Sequence, residues 1–120
     1  MNIEYNKLML STKKFNDFEF EELITSSLSD LQYIYLSSNP FLSQQHIEYL
    51  FLQNIDAVNI NLLRNKNCSK NRINEFLTFK DKIYNIAIAH NQCIDINMIQ
   101  QLLDFDDKDV TMSLKLNNSI

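Results

Sequence analysis

Leu36-Ser37-Ser38-Asn39-Pro40-Phe41-Leu42-Ser43, followed by Ile47 and Leu50, decides the fold, because the pattern recurs every 26 residues. It returns as Leu62-Leu63-Arg64-Asn65 with Cys68-Ser69, Ile73 and Phe76, and again as Ile88-Ala89-His90-Asn91 with Ile94-Asp95, Ile99 and Leu102. A shortened copy, Leu114-Lys115-Leu116-Asn117, leads to Ile120. Written in rows 5–30, 31–56, 57–82, 83–108 and 109–120, the chain reads as one repeat domain. A period of this length means stacked supersecondary units, each burying its apolar face against its neighbours.

Two apolar columns run down these rows: Leu8, Ile34, Ile60, Ile86 and Met112, and Leu10, Leu36, Leu62, Ile88 and Leu114. Both are expected in the core. Asp17, Ser43, Ser69 and Asp95 form a polar column whose side-chain oxygens suit a helix N-cap. Ile47, Leu50 and Phe51 then follow at helical spacing. Each row should therefore hold a helix, near 17–27, 43–53, 69–79 and 95–105. The first row departs from the pattern, with Lys13 in the asparagine column and Glu21 in the isoleucine column, as a water-facing terminal repeat would.

The other half of each row is open to two readings. Val58-x-Ile60-x-Leu62 and Tyr84-x-Ile86-x-Ile88 alternate like strands. On that basis the rows resemble cysteine-containing-type leucine-rich repeats, an α/β solenoid with asparagine in the cysteine slot. Acidic residues Asp30, Asp56, Asp81 and Asp107 precede the same segments and suit short helices instead. On Ile88-Ala89-His90-Asn91, on Leu36-Ser37-Ser38-Asn39-Pro40 with Ser43, Ile47 and Leu50, and on Asp107-x-x-Val110-x-x-x-Leu114, the chain resembles the leucine-rich repeat variant family. That resemblance implies a HEAT-like superhelix alternating an α-helix with a shorter one. Glycine is absent and proline occurs once, which disfavours β-turn-rich folds. The expectation is an all-α fold, a short right-handed α-solenoid of about four and a half repeats, with each asparagine of the column closing a helix as a left-handed cap.

Composition narrows the function. The net charge of −4 disfavours a general nucleic-acid binder, although residues 57–120 carry 8 basic against 7 acidic residues. Met1-Asn2-Ile3-Glu4-Tyr5 and the short run Leu8-Met9-Leu10 do not make a signal peptide, and no apolar run is long enough to span a bilayer. A cytoplasmic protein is expected, with Cys68 and Cys93 as reduced structural thiols. No metal or cofactor motif is present, and a chain without glycine has no glycine-rich phosphate loop. His46 and His90 fall in different columns, without an acid or nucleophile nearby in sequence, so both read as rim histidines and an enzyme is not expected.

What remains is a protein-binding module. Tyr33, Asn59 and Asn85 share one column, and Tyr35 and Asn61 share another; tyrosines beside amides make a hydrogen-bonding face of low entropy cost. Glu19 and Glu22 in the first helix, and Asp104, Asp106 and Asp107 in a late loop, would steer a basic partner. The sharpest form of this reading is a stoichiometric inhibitor or immunity-type protein that neutralises a basic toxin or nuclease. The alternatives are a HEAT-like nucleic-acid-binding module using Arg64, Lys66, Lys70 and Arg72, and an adaptor or scaffold.

Overall fold

A computed structural model describes residues 5–120; the first four residues of the N-terminal segment considered above lie outside the described residues. Among the described residues there are nine α-helices and no strand. The order is α1 (Lys7–Thr12), α2 (Asp17–Ile24), α3 (Asp30–Ser37), α4 (Gln44–Phe51), α5 (Asp56–Leu63), α6 (Lys70–Thr78), α7 (Lys82–Ala89), α8 (Ile96–Asp104) and α9 (Lys108–Leu116). The half of each row left open above is thus a helix, seen as α3, α5, α7 and α9, and the α/β leucine-rich-repeat alternative is not realised. No described helix is long and apolar enough to cross a membrane.

Helices of 6 to 9 residues do not hold alone in water, so side-chain caps and tertiary packing must hold them. The caps are visible throughout. Ser43, Ser69 and Asp95 accept from the third N–H of α4, α6 and α8, as their column implies. Ser29, Asp81 and Asp107 do the same for α3, α7 and α9. In α2 the cap is Asn16, not Asp17, and Glu19 returns a bond to the Asn16 N–H to complete a capping box.

That single displacement corrects the reading of the first row. Asn16 to Ser43 spans 27 residues, whereas Ser43, Ser69 and Asp95 follow at 26. The loop from Lys13 to Asn16 is one residue shorter than the loop from Asn39 to Ser43. In the shifted register Phe20 and Leu23, not Glu21 and Ile24, stand where Ile47 and Leu50 stand later; both are buried, with Leu23 wholly so. The first row carries a full apolar complement and is not a degraded one.

The chain divides into two compact units, residues 1–62 and 63–120, the division falling within α5. In the first unit α1 packs on α3, and in the second α7 packs on α9. Leu10 and Leu36 are fully buried in the first unit, and Ile88 and Leu114 in the second. The other expected core column behaves differently. Leu8 is 73 % and Met112 55 % exposed, and Ile34, Ile60 and Ile86 are only half-buried. Residues two apart on a helix point about 200° apart, so only one of the two columns can face the core.

The asparagine column is also not a left-handed cap. Left-handed backbone occurs at Ser27, Asn54, Lys80, Asp106 and Asn118, while Asn39, Asn65 and Asn91 are not among these residues. Ser27, Asn54, Lys80 and Asp106 each follow an even-numbered helix. The asparagines instead tie row to row. Asn39 Nδ2 donates to Leu10 O and Lys13 O at 2.9 and 2.7 Å. Asn91 Nδ2 donates to Leu63 O and Asn65 O, both at 2.9 Å, and Asn117 Nδ2 to Ala89 O and Asn91 O at 3.2 and 3.0 Å. The oxygens of Asn39, Asn65 and Asn91 accept from the backbone N–H two residues on, holding each loop as an Asx turn.

Candidate functional site

The residues singled out as a partner face are mostly occupied by their own fold. Tyr33 on α3 is half-buried; burial, and then the neighbouring Tyr49 on α4, push its phenol above the ordinary value. Tyr49 lies edge-on to Phe20 at 6.0 Å. Tyr35 is half-buried, with the Lys7 ammonium 5.6 Å from its ring centre. Asn61 donates to Ile34 O at 3.2 Å and Ser37 Oγ at 3.0 Å, which makes it a strut between α5 and α3. Asn59 and Asn85 are 5 % and 2 % exposed, and each has a side-chain oxygen without a hydrogen-bond partner.

The acidic residues divide in the same way. Glu19 is drawn into the capping box and pairs with Lys13 Nζ at 3.0 Å; the Asn16 N–H, then Lys13, hold its carboxyl below the usual range. Asp107 caps α9 and meets Lys82 Nζ at 3.4 Å, while Asp109 meets the same ammonium at 2.8 Å. Burial by itself would raise Asp107, but the N–H groups of Asp109 and Val110 and the Lys82 charge outweigh it, and its carboxyl sits low. Asp104 accepts from Gln100 Nε2 at 2.9 Å. Glu22 and Asp106 are exposed, Asp106 on left-handed backbone. In the basic stretch, Lys70 approaches Asp95 at 3.6 Å and Arg72 pairs with Glu75 at 2.9 Å; Arg64, Lys66 and Lys70 are exposed and Arg72 is half-buried.

His46 is not a rim residue. It is 6 % exposed, and its ring stacks on Phe20 at 4.0 Å and 7°. Its Nδ1 accepts from the Ser43 N–H at 3.4 Å, so the proton sits on Nε2 and is donated to Asp17 Oδ1 at 2.9 Å. Asp17, His46 and Ser43 thus share a neighbourhood, but Ser43 Oγ accepts from the His46 backbone N–H and faces no ring nitrogen. The arrangement staples α4 to α2 and is not wired as a nucleophile and base. His90 is half-buried at the end of α7; burial and then Arg64 press its imidazole below the ordinary value. Among the described residues no three metal-ligating side chains converge. Cys68 is buried and Cys93 exposed, with no disulfide among the described residues.

The feature that spacing alone missed is the exposed apolar column. In the second unit Ile83 and Ile86 lie one turn apart on α7, and Met112 stands one repeat on from Ile86, on α9; Ile83 is 56 % exposed. In the first unit Leu31 and Ile34 on α3 and Leu8 on α1 repeat that arrangement. Their signal was their apolar character at a fixed period, which is the signal of a core as well. Comparison with protein-family models, curated proteins and solved structures returns no match for this chain.

Proposed function

We propose that the protein is a small protein-binding α-solenoid whose docking surface is the exposed apolar column of the second unit, Ile83, Ile86 and Met112, with Leu8, Leu31 and Ile34 as its counterpart within the first, rather than the tyrosine–asparagine columns. The observation that carries the reading is the exposure of Ile83 and Met112, with Ile86 half-buried on the same helix as Ile83, and the exposure of Leu8 and Leu31 in the first unit. Apolar groups repeated at one position on successive helices fit a protein surface, because burying them removes water from each in turn. A phosphate backbone would call for cations there, and the column has none. The resemblance to leucine-rich repeat variant and HEAT-like repeats belongs to this proposal, with support from the all-helical rows and their Asn-linked loops.

The finer form is a stoichiometric inhibitor of a basic toxin or nuclease. It draws on the net charge of −4 and on the exposed carboxylates of Glu22, Asp104 and Asp106, which would speed association with a cationic partner. The test is affinity capture from source cells with the wild-type chain and with I86E/M112E, each with and without nuclease. The expected result is one basic protein in about equal amount, retained after nuclease and lost with the double substitution. Capture that vanishes on nuclease treatment moves the reading to Arg64 and Lys66; a partner indifferent to I86E/M112E removes the apolar column.

A further inference from the structure

In the second unit α7 and α9 are fastened together at both ends. Lys82 Nζ meets Asp109 at 2.8 Å where the helices begin, and Asn117 Nδ2 donates to Ala89 O and Asn91 O at 3.2 and 3.0 Å where they end. The two helices therefore run side by side in the same direction. α8 packs against both, and Ile88, Val110 and Leu114 are fully buried. Between the two clasps Ile83, Met112 and Leu116 are each more than half exposed, and Ile86 is half-buried. Ile83 and Ile86 lie one turn apart on α7, as Met112 and Leu116 do on α9, so each helix presents a short apolar strip.

The size of this face says what fits it. Four side chains fall well short of the roughly 800 Å² per partner that a standard protein–protein interface buries, which disfavours a second folded copy. They suit one helix, about 10 Å across, bringing apolar residues at i, i+3, i+4 and i+7. Charge gives its direction. At the beginning of α7 and α9 the carboxylates of Asp107 and Asp109 share the Lys82 ammonium. At the other end Arg64 stands near His90, the cap of α7, and Lys115 lies in the last turn of α9. Both cations are exposed, and among the described residues neither has a carboxylate at ion-pair distance. The C-terminal ends of α7 and α9 carry negative dipole ends, which attract the N-terminus of another helix, and the first turn of that helix favours carboxylates.

We propose that the α7–α9 face binds one amphipathic helix of a partner protein, antiparallel to both, with Asp or Glu in its first turn against Arg64 and Lys115 and its apolar stripe on Ile83, Ile86, Met112 and Leu116. The inference rests on the reading of this column as the docking surface, and adds the form, charge and direction of what docks. The acidic turn belongs to the docking segment alone. Asp104 and Asp106, at the end of α8 and beyond it, stay outside this face and can still steer a partner of positive net charge.

The test uses fluorescein-labelled helical peptides of about 18 residues, titrated with the full chain and followed by anisotropy. The first has leucines at i, i+3, i+4 and i+7 and two glutamates in its first turn. One companion carries lysines in place of the glutamates, a second has the glutamates in its last turn, and a third has the same residues in an order that breaks the stripe. Saturable binding of the first peptide is expected, with the two charge companions about tenfold weaker and the broken stripe unbound. I86E/M112E should abolish binding. I83E/L116E, at two residues more than half exposed, should do the same in a chain of unchanged melting temperature. R64E/K115E should make the lysine peptide the tighter ligand. Equal affinity for the charge companions, lost in I86E/M112E, overturns the acidic antiparallel helix and leaves the docking surface standing. Binding indifferent to both apolar double substitutions overturns the two together. Dimerisation of the free chain in sedimentation, lost in I83E/L116E, gives the face to a second copy and overturns the inference. So does the absence of binding by every peptide, while the capture experiment still reads the apolar column separately.

Discussion

The side-chain amide of Asn91 donates to the backbone carbonyl of Asn65, one full repeat earlier, at 2.9 Å, while its oxygen accepts from the Cys93 N–H at 2.8 Å. With the further bond to Leu63 O, one fully buried side chain closes its own loop and fastens that loop to the preceding row. Replacing Asn91 by alanine removes three bonds and leaves buried backbone groups unpaired. A loss of about 3 kcal/mol is expected, at roughly 1 kcal/mol per bond, measured by urea unfolding. Asn91→Asp should be worse still, because it sets a carboxylate against two carbonyls.

The two apolar columns should separate cleanly by mutation. Leu114 is fully buried, and Leu114→Ala should cost about 2–5 kcal/mol as a core truncation. Met112, two residues earlier, is largely exposed, and Met112→Glu should stay within about 0.5 kcal/mol of wild type. Equal penalties at the two sites, read from thermal melts, would return the Met112 column to the core.

The displaced cap of the first repeat makes a paired prediction. Asn16→Ala should cost about 1 kcal/mol through the lost cap on α2. Asp17→Ala should cost less, since it leaves the capping box intact and removes only the bond to His46. The reverse order of melting temperatures would restore Asp17 as the cap and the uniform period with it.

Lys80 has a φ of 52°, in a chain with no glycine to relieve such positions. The left-handed conformation costs an ordinary L-residue about 1–2 kcal/mol, and asparagine tolerates it better. Asn54 already holds the equivalent place one repeat earlier. Lys80→Asn should therefore raise stability by a few tenths to about 1 kcal/mol, seen as a higher urea midpoint at unchanged slope.

Acid should loosen the capped rows. The Met98 N–H, followed by the Lys70 charge, holds Asp95 below the usual carboxylate range in spite of some desolvation. A carboxyl depressed in the folded state contributes stability that is complete above its unfolded value near pH 4. That contribution is lost as pH falls through the lower, folded value. Asp95→Asn keeps an acceptor at the cap without the titration, so its stability should fall less steeply than wild type below about pH 4. Identical acid profiles would show that Asp95 titrates alike in both states.

By itself the sequence determined the 26-residue period, the Ser/Asp caps of α4, α6 and α8, and the wholly buried column running from Leu10 to Leu114. These are local or periodic properties: a cap oxygen needs only the next turn of its own helix, and an apolar residue at every repeat needs only a neighbour like itself. The tertiary structure decided what depends on direction and on partners distant in the chain. It made helices of segments that alternate like strands, and it turned the Leu8–Met112 column away from the core, because one face of a helix is filled by one column. It moved the first cap to Asn16 through a loop one residue shorter, set His46 against Phe20 and Asp17, and gave the asparagines a role between rows instead of at helix ends. Asn91 reaches two carbonyls of the preceding row, while the buried side-chain oxygen of Asn85 is left without a partner. No spacing rule separates those two outcomes, because the difference lies in the reach of a side chain across to the next helix.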